Sequence, residues 1–187
     1  RDSTLTGDFC PWDYGTSYRD RNGCLDSDGD GASDPSSVGG INWGVDQGAD
    51  MWPDDPTQWA DTDGDGYGDN GTIGATNPDF FPYNIAAADD NDSDGYPDRW
   101  TSSYDGSNAL GLVLDGCPNV FGTSINPLPG CPDSDGDGWA NTDDDFPLDS
   151  TQFLDNDGDG FGDNASGNNA DECPFQFGVE DGTDGTG

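Results

Sequence analysis

The sequence predicts a mostly irregular chain of low secondary structure, without a large hydrophobic core and ordered instead by tandem acidic turns. Three observations carry that expectation. The formal net charge is −36, from 40 acidic residues against 4 basic ones in 187 residues. Leu, Ile, Val and Phe make up about 14% of the chain, below the roughly 20% under which a highly charged chain does not order itself by apolar burial. Finally, Asp-x-Asp-x-Asp-Gly, or a one-letter variant of it, begins at Asp26, Asp61, Asp90, Asp133 and Asp155. A disordered acidic tail would share the composition, but it would not space its aspartates so regularly.

Each turn has the chemistry of a hard-cation loop. Carboxylates at alternate positions converge only if the backbone curls around one centre, and the Gly that follows permits the curl. The triplets are Asp26, Asp28, Asp30; Asp61, Asp63, Asp65; Asp90, Asp92, Asp94; Asp133, Asp135, Asp137; and Asp155, Asp157, Asp159. In the third, Ser93 replaces the Gly found at position four of the others. Position seven offers a main-chain carbonyl (Ala32, Tyr67, Tyr96, Trp139, Phe161), and position nine a side chain (Asp34, Asp69, Asp98, Asn141, Asp163). An EF-hand needs a bidentate Glu at position twelve, whereas Ser37, Thr72, Thr101, Asp144 and Ser166 stand there. A second pattern supplies the missing ligand. Asp-x-(aromatic or Cys)-Pro occurs once after each loop, at Asp50, Asp79, Asp115, Asp144 and Asp171. A sixth copy, Asp8-Phe9-Cys10-Pro11, has no loop before it. The expected ion is calcium, with at least five ions. More than five are expected, because spare acids (Asp54, Asp55, Asp89, Asp143, Asp145, Asp149) leave room and five divalent ions would leave the chain strongly negative.

Asp-x-Asp-x-Asp-Gly-x-x-Asp-x-x-Asp-x-Cys-Pro resembles the thrombospondin type 3 repeat, and the resemblance covers roughly residues 8 to 175. Residues Asp133 to Pro147 follow the pattern with Phe146 in place of Cys. The Thr-Gln-aromatic segments resemble those of prokaryotic surface and secreted versions. The resemblance implies a calcium-wrapped extracellular module with little regular secondary structure, many of whose repeats hold two ions. Trp52, Phe81 and Phe146 replace the family's Cys, and excursions are inserted at 35–49, 70–78 and 99–114.

Three segments align without a gap: Trp52 to Asp69, Phe81 to Asp98 and Phe146 to Asp163. Regularly spaced aromatics in a core-poor chain are expected to form small satellite cores over the loops, with sugar or partner platforms as the competing reading. The cysteines reveal another repeat. Cys10 to Cys24 matches Cys117 to Cys131 in both spacing and the Gly-Thr-Ser within. Each pair reads as a local disulfide worth about 3 kcal/mol on a chain-entropy model. A zinc site competes, but there is no His. Cys173 begins a third copy, which implies a longer array or a partner chain.

Four segments follow: 1–7, an N-terminal segment; 8–116, a module with three ion loops; 117–172, a module with two; and 173–187, a partial module or linker. The apolar run 109–114 is too short to span a membrane and reads as a short strand or buried plug. Paired cysteines and loops that fill only at high calcium place the chain outside the cell or on its surface. Asn70 and Asn164, in matching sequons, are candidate glycosylation sites. An enzyme is not expected: His and Lys are absent and no nucleophile motif occurs. Nucleic acid would be repelled. Two functions remain. One is a calcium-stiffened rod, stalk or filament subunit that self-associates or continues a longer repeat array. The other is a calcium-dependent adhesion or glycan-binding module.

Overall fold

The computed structural model describes residues 7–37 and 42–178. Among them regular structure is nearly absent. The only helix among the described residues is a 3-10 turn, Val45–Gln47. β pairing is confined to isolated bridges, such as Gly68 with Pro78 and Gly162 with Ala170. The expectations for the tail 179–187, and for residues 1–6, lie outside the described residues.

The chain divides into two compact units. One comprises Arg1–Asp89 with Trp100–Leu110, the other Asp90–Arg99 with Gly111–Gly187. Both disulfides expected from the spacing are present, Cys10–Cys24 and Cys117–Cys131, each with Cα atoms 5.0 Å apart. They close hairpins with matching hydrogen bonds. Gly23 N donates to Ser17 O at 2.9 Å and Gly130 N to Ser124 O at 3.0 Å. The buried hydroxyls of Ser17 and Ser124 each take the N–H of the second cysteine, at 2.9 Å in both.

What is buried inverts the usual order of residue types. The apolar interior consists of Ala32, Ala49, Ala86, Ala87, Ala88 and Ala140 with two disulfide cysteines. The largest fully buried side chains include Gln58, Gln152, Asp50 and Asp79, while Ile73, Trp12 and Tyr14 are more than nine-tenths exposed. Alanine permits close approach of backbones but buries little area, so transfer of apolar surface contributes weakly here.

The two buried glutamines form matching amide clamps. Gln58 Nε2 donates to the carbonyls of Asn70 (3.2 Å) and Thr76 (2.9 Å), and its Oε1 accepts from Asn70 N. Gln152 does the same with Asn164 (3.0 Å) and Asn168 (2.8 Å). Glycine is required beside each: an added Cβ at Gly68 or Gly162 would lie 2.0 Å and 2.1 Å from the respective amide oxygen. The clamps thus hold the excursion after a loop against the Thr-Gln-aromatic segment before it.

Most of the aromatics are half-buried, and two pairs of rings stack. Trp139, at position seven of the fourth loop, stacks on Phe153 at 4.9 Å, and Trp100 stacks on Tyr104 at 4.6 Å. The apolar run 109–114 departs from expectation, being neither a strand nor a buried plug. Leu110 and Gly111 adopt left-handed φ angles of 51° and 94°, which break extended pairing, and Leu110, Val113 and Leu114 are exposed.

Candidate metal centres

Each acidic turn gathers its three carboxylates. In all five triplets one oxygen from each Asp lies within 4.8 Å of the others. The backbone builds this arrangement through a ladder of short Asp–amide bonds. The first Asp accepts from the N–H groups of positions four and six, as Asp61 does from Gly64 (2.7 Å) and Gly66 (2.9 Å). Position three accepts from the amide of position five, and position five from that of position seven. The other four loops repeat the scheme. The Gly at position six has φ between 94° and 100° in all five, a conformation closed to most L-residues. Ser93 nevertheless adopts φ 65° at position four of the third loop.

The amide ladder occupies both oxygens of the first Asp but only one of those at positions three and five, most of which keep the other buried. Asp28, Asp30, Asp63, Asp65, Asp92, Asp135, Asp137 and Asp157 each keep a buried Oδ2 with no hydrogen-bond donor. Carboxylate oxygens are rarely left so, because burying an uncompensated charge is costly.

The structure also brings the delayed aspartates to their loops. Asp50, Asp79, Asp115, Asp144 and Asp171 are all at least nine-tenths buried. In each, Oδ1 accepts from the amide two residues on, at 2.6 to 2.8 Å. The Oδ2 atoms of Asp50, Asp115, Asp144 and Asp171 are buried without a donor. Asp50 feels the charges of Asp30, Asp28 and Asp34, and Asp79 those of Asp65, Asp63 and Asp69. Asp115 feels Asp94, Asp92 and Asp98; Asp144 feels Asp137, Asp135 and Asp133; Asp171 acts on Asp157. A carboxylate 11 to 25 positions beyond a loop's first Asp is therefore returned to it.

In four loops position nine makes a local contact that the spacing does not reveal. Asp34, Asp69, Asn141 and Asp163 latch the residue at position two. Asp69, for example, accepts from Thr62 N (2.8 Å) and Thr62 Oγ1 (2.6 Å), and Asn141 accepts from Ser134 N and donates to its hydroxyl. Both carboxylate oxygens of Asp98, in the third loop, are buried. The position-seven residues all donate their N–H to the position-five Asp. At Asn70 and Asn164, the candidate glycosylation sites, Nδ2 donates to Thr57 O and Thr151 O at 2.8 Å.

Sequence reasoning missed the clamps of Gln58 and Gln152 and the hairpin hubs of Ser17 and Ser124. Their signal was present as the repeated Thr-Gln-aromatic and Gly-Thr-Ser, but polar residues at such positions are ordinarily solvated.

Crowding sets the protonation chemistry. Burial raises the Asp50 carboxyl to about 6, Asp65 to about 6 and Asp79 to about 7, with neighbouring carboxylates adding to it and a backbone N–H opposing. The folded chain therefore binds protons that the unfolded chain releases. Without a cation, this contribution to stability is fully present below the ordinary Asp value of 3.8 and is lost as pH rises through 6 to 7. A bound cation reverses the dependence, since it needs ionised ligands. Divalent-cation affinity should rise between about pH 5 and about pH 7, with proton release on binding, measured by calorimetry in buffers of different ionisation enthalpy.

No family model matches the chain, and no curated protein is significantly similar to it. The structure defines a class by its chemistry alone: a disulfide-stapled, core-poor chain with five acidic groups among its described residues that could hold a metal ion. No helix among the described residues is long and apolar enough to cross a membrane.

Proposed function

We propose that the chain is a non-catalytic extracellular calcium-binding structural protein of the thrombospondin type 3 kind, a repeat unit of a rod, stalk or filament whose rigidity depends on calcium. The observation that carries this reading is the set of buried, inward Oδ2 atoms without donors, shared among the triplets and delayed aspartates. All-oxygen, carboxylate-rich donors suit a hard cation, and flexible loops drawing ligands from distant segments suit calcium better than the rigid octahedron of magnesium. Asp28, Asp30 and Asp50 would hold the ion of the first loop with Asp26. The corresponding sets are Asp61, Asp63, Asp65 and Asp79; Asp90, Asp92, Asp94 and Asp115; Asp133, Asp135, Asp137 and Asp144; and Asp155, Asp157, Asp159 and Asp171. The ion supplies positive charge that ties each excursion to its loop, in place of apolar burial. The disulfides fit an oxidising compartment.

A rod or filament needs modules that contact mainly their sequence neighbours, and the local hairpins, clamps and loops have that character. The adhesion reading is favoured by one observation, the exposure of Trp12 and Tyr14, both 91% accessible. Native mass spectrometry and electron microscopy of the calcium form test the proposal together. The expected result is at least five calcium ions per chain and extended or filamentous particles. Saturation below five ions, or monodisperse particles that bind a glycan array, would refute it.

A further inference from the structure

The chain contains two Asn-Gly pairs, Asn22-Gly23 and Asn70-Gly71. Such a pair can react with itself in water. The glycine nitrogen, once deprotonated, attacks Cγ of the asparagine; the Cγ–Nδ2 bond breaks, ammonia leaves and a cyclic succinimide remains. Water then opens the ring at either carbonyl. The product is aspartate, or an isoaspartate whose main chain runs through Cβ and Cγ. Glycine makes the first step easy because no Cβ shields its nitrogen. In a folded chain the reaction waits until the side chain and the next amide can move together.

At Asn70 every participant is held. Nδ2, the leaving nitrogen, donates to Thr57 O at 2.8 Å, and Oδ1 accepts from Thr72 N at 3.2 Å and Thr72 Oγ1 at 2.6 Å. A single buried amide grips the main chain on both sides of the Cα. Asn70 N donates to Gln58 Oε1 at 3.1 Å, and Asn70 O accepts from Gln58 Nε2 at 3.2 Å. The nucleophile, Gly71 N, donates to Asp69 O at 3.1 Å. Ring closure makes Cγ tetrahedral, expels Nδ2 and takes the proton from Gly71 N. It cannot proceed until the clamp lets go.

Packing explains why the labile pair stands here. An added Cβ on Gly71 would lie 2.8 Å from Asp79 O, the main chain of the aspartate that returns to the second loop. The matching clamp places a different residue there. Asn164 donates from Nδ2 to Thr151 O at 2.8 Å and is gripped by Gln152 at its N–H and its carbonyl, yet Ala165 follows it. The other Asn-Gly pair lies inside the hairpin closed by Cys10–Cys24, where Gly23 N donates to Ser17 O at 2.9 Å. A covalent staple holds that pair whatever the acidic loops do. Of the two, Asn70-Gly71 is the pair whose protection depends on the excursion 70–78 staying docked.

We infer that Asn70-Gly71 is a self-modification site, closed while the second loop holds its cation and opened when the cation leaves. The trigger rests on the calcium reading: Asp79 ties the end of the excursion to Asp61, Asp63 and Asp65, and without an ion those carboxylates repel. Either product keeps the clamp from re-forming. Aspartate sets a carboxylate oxygen against Thr57 O, acceptor against acceptor. Isoaspartate inserts an extra main-chain carbon between the N–H and the C=O that Gln58 grips together. Both add a negative charge to a segment flanked by Asp69 and Asp79. A reversible loss of metal is thereby converted into a permanent loss of the excursion's anchor.

Peptide mapping by mass spectrometry tests this on the full, disulfide-intact and unglycosylated chain, incubated in calcium and in EGTA at mildly alkaline pH. Replacement of NH2 by OH at Asn70 should accumulate at least about tenfold faster in EGTA, because the reaction follows the population of the open form. Asn22 and Asn164 should stay slower than Asn70 there. Gln58→Ala should raise the rate at Asn70 in calcium. Thr72→Val, at an exposed position, should raise it too, which keeps the test independent of whether Gln58→Ala folds. On return to calcium, hydrogen exchange should find residues 61–79 protected only in chains whose Asn70 is intact. Equal rates at Asn70 in both buffers while native mass spectrometry shows the calcium bound, or variants no faster than wild type in calcium, would overturn the inference and leave the calcium reading intact. Failure to bind calcium at all would overturn both.

Discussion

Asp79→Asn is expected to act in opposite directions with and without calcium. Asparagine keeps the shape of the side chain and its bond to Phe81 N, but it removes a charge. Asp79 is 2% exposed and sits against Asp65, Asp63 and Asp69, with its carboxyl raised to about 7. In a metal-free fold, removing that charge relieves repulsion and desolvation, so the variant should match or exceed wild type in EGTA at neutral pH. On the calcium reading the same carboxylate is one half of a buried ion pair, and deleting one member of such a pair costs about 3 kcal/mol or more. The second loop should then lose its ion, and the excursion 70–78 its anchor. Hydrogen exchange of residues 61–79 in both buffers reads the sign directly. Destabilisation of similar size in both conditions would mean that Asp79 is a structural hydrogen-bonding residue.

Gln152→Ala should be the most damaging change away from the acids. The amide satisfies the carbonyls of Asn164 and Asn168 and the N–H of Asn164, all against a side chain only 1% exposed. Alanine leaves three main-chain groups without that partner, at about 1–3 kcal/mol for each that water cannot reach. It also opens a void beside Gly162, whose lack of a Cβ is what makes room for the amide. The loss should amount to several kcal/mol and should persist in saturating calcium, because the ion ligands are untouched. Gln152→Glu provides a sharper control: it keeps the volume, loses the donor, and adds a charge near Asp149 and Asp163. A thermal midpoint unchanged in either variant would show that the clamp is incidental.

How much of this was legible beforehand depended on the kind of regularity involved. The triplets and the two disulfides recur at fixed spacing and the delayed aspartates in a fixed local pattern, Asp-x-(aromatic or Cys)-Pro, and the structure assembles each of them. The absence of a conventional core followed from composition. Three things were hidden. At position nine, Asp69 and Asn141 also hydrogen-bond Thr62 and Ser134, a local contact that spacing alone does not reveal and that leaves each oxygen a lone pair for a cation. The run 109–114 was read from hydropathy, but Leu110 and Gly111 turn left-handed and expose it; in so core-poor a chain, a short apolar run has little to pack against. Gln58 and Gln152 were seen as an alignment and not as a core, because buried amides leave no hydropathic trace.

The central claim is that divalent metal at carboxylate clusters replaces the apolar interior. Small-angle X-ray scattering of the disulfide-intact chain during titration from EGTA into calcium tests it most directly. The account predicts an expanded ensemble that contracts to a compact form as the loops fill, with the pH held at about 7 so that the carboxylates are ionised. A radius of gyration that is already compact in EGTA and does not change on adding calcium would contradict it.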